Sequence, residues 1–172
     1  MSSPLSKLKS LTRELTITAV LILVASNLVS WLRSPTLDSD ELPPFELSLV
    51  SGERLSSSQL KGAPLVIYFW GTWCSDCSLQ SPSIQSLVGE AQVLSVAVKS
   101  GDQRELQRYQ AQEGYSFPIY IDHDYAWTER FKVSAFPTIF IFDAHGKLRF
   151  TEVGFTSAWG LRARLAWLAF WA

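Results

Sequence analysis

Pro64-Leu65-Val66-Ile67-Tyr68-Phe69-Trp70-Gly71-Thr72-Trp73-Cys74-Ser75-Asp76-Cys77 decides how the chain folds. Its first seven residues are apolar, β-branched and aromatic, the composition of a buried strand. Gly71 and Thr72 supply a turn. Cys74 and Cys77, the only cysteines of the chain, follow with two residues between them. A pair so spaced can close a disulfide within one helical turn. Its first sulfur can sit exposed at the helix N-terminus, where the amide dipoles favour thiolate over thiol. Strand, turn and cysteine-headed helix in that order make a bare C-x-x-C a candidate redox motif.

Other uses of the pair fit less well. A structural zinc needs four protein ligands, with histidines roughly three to five residues apart. This chain has no further cysteine, and His123 and His145 lie 22 residues apart. A purely architectural disulfide is disfavoured because so short a loop removes little entropy from the unfolded chain.

At 172 residues the chain accommodates one domain and an appendage, and 47% hydrophobic residues supply its core. The net charge of −1 is unevenly spread: residues 1–33 carry Lys7, Lys9, Arg13 and Arg33 against Glu14 alone. From Ser34 onward 15 acidic residues outnumber 11 basic ones, with no basic cluster, so a nucleic-acid partner is not expected.

Leu15 to Leu32 is an 18-residue run without a formal charge, long enough for a membrane span although it includes Thr16, Thr18, Ser26, Asn27 and Ser30. Lys7, Lys9 and Arg13 precede it, so the positive-inside bias predicts residues 1–14 in the cytoplasm, 15–32 as a transmembrane anchor and the rest exported. A cleavable signal peptide is the competing reading. The bulky Leu28-Val29-Ser30-Trp31 makes a poor cleavage signature, which favours an uncleaved anchor. Export places the cysteines in an oxidising compartment. Asn27 is the only asparagine and heads no N-x-S/T site, so the expected location is a bacterial inner membrane, single-pass, with the C-terminal domain in the periplasm.

Residues 33–44 are polar, acidic and proline-bearing and read as a linker; residues 45–172 read as the folded domain. Phe45–Val50 and Glu53–Leu55 suit a small hairpin around Ser51-Gly52. A helix is expected from the cysteines to about Val88, kinked or interrupted at Pro82. Gln92–Val98 reads as a strand, and Asp102–Glu113 as an exposed helix with an Asp cap and a Gly114 stop. Ser116–Ile121 and Asp124–Phe131 suit a short strand and a short helix. Thr138–Phe142 and Lys147–Val153 suit a hairpin around Asp143-Ala144-His145-Gly146. A closing helix from Ser157 places Leu161, Leu165 and Leu168 at helical spacing, with Trp159, Trp167, Phe170 and Trp171 giving it an aromatic edge. This order implies an α/β domain with a mixed central sheet and helices on both faces.

Several motifs carry a resemblance across Phe45 to Ala172. Phe69-Trp70-Gly71-Thr72-Trp73-Cys74 is close to F-W-A-x-W-C, Pro82 lies five residues after Cys77, and Val133-Ser134-Ala135-Phe136-Pro137-Thr138 is close to V-x-x-x-P-T. Gly146 and Val153-Gly154 match a hairpin turn and a glycine beside the substrate. Jointly these resemble the thioredoxin superfamily, and within it the membrane-anchored TlpA/ResA/CcmG-like protein disulfide oxidoreductases. Val96–Asp102, Phe117-Pro118 and Asp122 look most similar to ScsD-type proteins associated with copper tolerance. The resemblance implies a thioredoxin-like three-layer fold, here preceded by one N-terminal transmembrane helix.

It also implies a division of roles. Cys74 would be the attacking nucleophile, its pKa lowered from about 8.5 into roughly 3.5–7.5. Cys77, more buried, would resolve the mixed disulfide. Trp73, Phe136, Pro137 and Gly154 would bind substrate, with a cis bond before Pro137 and the Phe136 backbone offered to an extended client. Ser75 and Asp76 would tune the redox chemistry. The implied cofactor is none beyond the Cys74–Cys77 disulfide, with no metal. The implied partners are protein thiols and disulfides and a DsbD- or ScsB-like membrane electron donor.

Two departures from the family pattern matter. Thioredoxin places a buried aspartate six residues before its first cysteine, where this chain has Tyr68, a poor base at neutral pH. Asp76 sets a carboxylate beside the developing thiolate, which disfavours it and makes the disulfide harder to reduce. A reductase poise nearer about −270 mV than about −120 mV is therefore expected. The expected activity is reduction of protein disulfides. Alternatives are a cytochrome c maturation role acting on apocytochrome cysteines and a copper-binding protein using the same sulfurs. His123 and His145 read as solvated loop residues, and the Trp73 and Cys77 neighbours fit disulfide exchange better than a peroxidatic role for Cys74.

Overall fold

The computed structural model describes residues 13–18, 20–22, 24–25, 28–30 and 34–171. They fall into two units divided after Arg33. The described residues of the first unit are helical. Among the described residues no helix is long and apolar enough to cross a membrane, and part of the expected 15–32 span lies outside them.

In the second unit β1 (Glu46–Ser48) and β2 (Arg54–Ser56) form an antiparallel hairpin. Five further strands make one sheet: β3 (Leu65–Trp70), β4 (Gln92–Val98), β5 (Ile119–Asp122), β6 (Thr138–Phe142) and β7 (Leu148–Val153). Their order is β5-β4-β3-β6-β7, with β5, β4 and β3 parallel and β6 and β7 antiparallel to their neighbours. The helices are α1 (Ser75–Gln85), α2 (Gln103–Glu113), α3 (Ala126–Arg130) and α4 (Ala158–Trp171).

The central strand β3 is buried throughout, and its side chains alternate between two cores. Val66, Tyr68 and Trp70 pack with Cys77 and Ile84 of α1, Leu106 of α2, and Leu161 and Leu168 of α4. Leu65, Ile67 and Phe69 pack on the other face with Trp127 of α3, Phe131, Leu47 and Leu60. Each fully buried large apolar side chain contributes about 1.5–3 kcal/mol, so β3 fixes where the residues at its C-terminal end stand. The mixed sheet with helices on both faces is the expected three-layer α/β fold.

Local chemistry sets the boundaries. The Asp102 carboxylate accepts from Glu105 N at 2.8 Å, the Glu105 carboxylate accepts from Asp102 N at 2.8 Å, and Gly114 ends α2 at φ +70°. β5 begins at Ile119 and not at Ser116. Pro118 has no N–H to give a ladder, Phe117 is buried in the core, and the Ser116 N–H bonds the Gln85 side chain.

Residues 34–44, expected to be a linker, have no helix or strand of their own but belong to the second unit. Leu148 N donates to Asp40 O at 2.6 Å and Leu42 N to Gly146 O at 2.7 Å. Lys132 pairs with Asp38, and Leu37 and Leu42 pack against the core. The segment covers the start of the outer edge of β7, which an open sheet would leave unpaired.

Candidate active site

The buried strand ends at Trp70, and the chain turns at once into α1. Cys74 is the N-cap: its backbone is extended (φ −100°, ψ 108°), and its sulfur accepts the Cys77 N–H at 3.2 Å. Cys74 and Cys77 form a disulfide with Cα atoms 5.2 Å apart. Cys77 is 1% exposed, whereas Cys74 is partly exposed, so only the first sulfur stands at the surface. Exposed Ser75 and Asp76 open α1 between them, and Asp76 is the acidic residue of the first turn. The helix runs through Pro82 to Gln85 and then turns, with Leu87 N donating to Ile84 O.

Beneath the disulfide stands a phenol. Tyr68 Oη donates to Cys77 O at 3.0 Å, and Ser81 Oγ donates to the same oxygen at 2.9 Å. Burial pushes the Tyr68 phenol well above its ordinary range, against the opposing pull of the Ser81 hydroxyl, which lies 3.2 Å from the phenol oxygen. Tyr68 therefore holds a hydrogen bond and does not take up a proton near neutral pH.

Trp73 is locked from three sides while remaining 56% exposed. Its indole Nε1 donates to Val98 O at 2.9 Å, and its ring meets Phe136 edge-on at 5.3 Å. A Cβ on Gly71 would lie 2.5 Å from the ring, so that position requires glycine. Ser100 supports the same corner: its hydroxyl donates to Val98 O at 2.9 Å and accepts Thr72 N at 3.0 Å.

The Phe136–Pro137 peptide bond is cis. Phe136 and Cys74 pack against the same buried cluster, which brings the 133–138 loop to the site. Gly154 N donates to Pro137 O at 2.9 Å, bringing the loop after β7 to the same place. Gly154 has φ +88°, a conformation that favours glycine, and space for a Cβ is open around it. Of the residues singled out from sequence, Trp73, Cys74, Cys77, Phe136, Pro137 and Gly154 thus converge on one end of the sheet. His123 and His145 lie in loops, after β5 and between β6 and β7. Among the described residues no group of three or more His, Cys, Asp or Glu is placed to hold a metal. Sequence reasoning missed Ser81, Val98 and Ser100; their links to the site span 4 to 28 residues and leave no periodic trace.

The AhpC/TSA family model matches residues 39–151. A thioredoxin-like protein of Haemophilus influenzae is 33% identical over 150 residues, covering 86% of this chain and 89% of that protein. The thiol-disulfide oxidoreductase ResA of Bacillus subtilis is 30% identical over 115 residues, 64% of either chain. The crystal structure of an exposed lipoprotein thioredoxin of Streptococcus pneumoniae superposes with a TM-score of 0.65 at 26% identity, covering 72% of this chain and 98% of the other. The chain belongs to the AhpC/TSA family, with a thioredoxin-like fold. It is a thiol–disulfide oxidoreductase of the thioredoxin superfamily, built around the Cys74–Cys77 pair.

Proposed function

We propose that the chain is a membrane-anchored periplasmic enzyme that reduces protein disulfides. The observation that carries this reading is the unequal burial of two bonded sulfurs at a helix N-terminus, Cys74 at the surface and Cys77 beneath it. In the reduced form the Cys74 thiolate attacks a client disulfide, a mixed disulfide forms, and one client sulfur leaves as thiolate. Cys77 then attacks Cys74, releasing the second client sulfur. The client gains two electrons and two protons, and the Cys74–Cys77 disulfide closes. A DsbD- or ScsB-like membrane donor supplies the next two electrons. Trp73, Phe136, Pro137 and Gly154 bind the client, and Ser75 and Asp76 tune the pair.

The location rests on the Leu15–Leu32 run and its flanking charges, together with the exposed lipoprotein thioredoxin among the similar structures. Reduction of insulin disulfides tests the activity: the native chain turns over with a dithiol donor, and Cys74→Ser and Cys77→Ser abolish turnover. Stoichiometric copper retention without reduction would instead make the pair a metal site. Alkaline extraction tests the anchor, which holds the full chain in the membrane pellet and frees a chain starting at Ser34. Release of both would remove it.

A further inference from the structure

Gln80 lies on α1 three residues beyond Cys77, and it is fully buried. Its side chain makes two bonds to a single residue 76 positions away: Nε2 donates to Thr156 O at 3.0 Å, and Thr156 N donates to Oε1 at 2.7 Å. An amide offers the donor and acceptor together that this pairing needs, which a carboxylate or an apolar side chain of the same length lacks. Two residues earlier, Gly154 N bonds Pro137 O at 2.9 Å. The elements on either side of the loop are tied as well, by Glu152 of β7 and Arg164 of α4 at 2.5 Å. Phe155 is the residue between the two loop anchors, and it stands 59% exposed. One anchor leads to Pro137 and the other to the helix that carries the disulfide.

We propose that Gln80 is a positioning residue that presents Phe155 beside the disulfide, where Phe155 selects clients with an apolar side chain flanking the reacting cysteine. The proposal rests on the protein-reductase reading and narrows its substrate class. Trp73 is bonded to the end of β4 and Phe155 follows β7, so the two exposed rings come from either side of β3 and β6, and a client strand laid along the Phe136–Pro137 loop would run between them. The two bonds from Gln80 act on the loop backbone, and their effect on the client passes through Phe155.

Two disulfide-linked peptide substrates, one with Leu and one with Ser next to the cysteine, test this with the full chain. The native enzyme is expected to favour the Leu peptide about tenfold in kcat/KM, the worth of one aromatic anchor. Phe155→Ala brings the preference close to one through a higher KM for the Leu peptide. Gln80→Met does the same, and the double variant is no less selective than Phe155→Ala alone. Should Gln80→Met not fold, the isosteric Gln80→Glu, which loses the donor to Thr156 O, takes its place with the same outcomes. No preference in the native enzyme, a preference that survives Phe155→Ala, or an equal fall for both peptides in the Gln80 variant would overturn the proposal. Reduction of neither peptide by the native chain would refute the reductase reading itself.

Discussion

The Tyr68 hydroxyl donates to the Cys77 carbonyl at 3.0 Å, tying the middle of the central strand to the buried cysteine. At this place the thioredoxin pattern has a carboxylate. Here the group is a phenol that burial keeps protonated. Tyr68→Phe therefore costs stability and leaves proton transfer as it was. One buried hydrogen bond is worth about 1 kcal/mol, and a domain of this size loses about 2–4 °C in Tm for it. Thermal unfolding of the oxidised protein reads the loss, and insulin reduction at pH 7 is expected to stay within about twofold. A fall beyond about tenfold would make the phenol a participant in the chemistry.

Gly71 and Trp73 are matched in space. A methyl group on Gly71 would lie 2.5 Å from the indole, and the Val98 carbonyl and the Phe136 ring leave that indole little room to give. Gly71→Ala is expected to break the indole bond to Val98, seen as faster exchange of the Trp73 Nε1 proton, and to raise KM for protein clients. An unchanged indole resonance would contradict the lock.

Asp76 is the acidic residue in the first turn of α1, beside the sulfur that carries charge when reduced. An exposed charge at this range is worth about 1 kcal/mol, and for a two-electron couple 1.4 kcal/mol corresponds to about 30 mV. Asp76→Asn should therefore raise the reduction potential by about 20 mV and lower the Cys74 pKa, as equilibration with glutathione and thiolate absorbance would show. A native potential above about −150 mV would overturn the reductase poise, and an unchanged potential in the variant would relieve Asp76 of its role.

Asp143 organises the β6–β7 turn, accepting from His145 N and Lys147 N at 2.9 Å each and from Arg149 Nε at 2.7 Å. Burial alone would raise its pKa, but those donors together hold it below the usual carboxylate range. A carboxyl depressed in the folded state adds stability above its unfolded pKa of about 3.9, and that contribution fades as pH falls toward the folded value. Asp143→Asn should cost about 1–2 kcal/mol at pH 7 and progressively less below about pH 4, measured by urea unfolding. A deficit that stays constant with pH would contradict this.

The strand–turn–helix core was legible because its signals are local. Apolar composition marked β3, the Asp102 cap and Gly114 marked α2, and the likeness of Val133–Thr138 to a family motif marked the loop with the cis bond. What escaped is carried by single polar side chains reaching far along the chain. Gln80 to Thr156 spans 76 residues and Gln85 to Ser116 spans 31, and neither glutamine differs in sequence from a solvated one. The docking of residues 34–44 escaped for a related reason. A polar, proline-bearing stretch reads as a spacer whether it hangs free or lends its backbone to a sheet edge, as Asp40 does to Leu148.

Client capture tests the central claim most directly. The purified Cys77→Ala chain in its reduced form, mixed with a disulfide-bonded protein client and then digested, should yield a stable cross-link mapped by mass spectrometry to Cys74. Adding Cys74→Ser should abolish it. A chain that forms no adduct at Cys74, or a Cys74→Ser chain that traps as much through Cys77, would contradict the account.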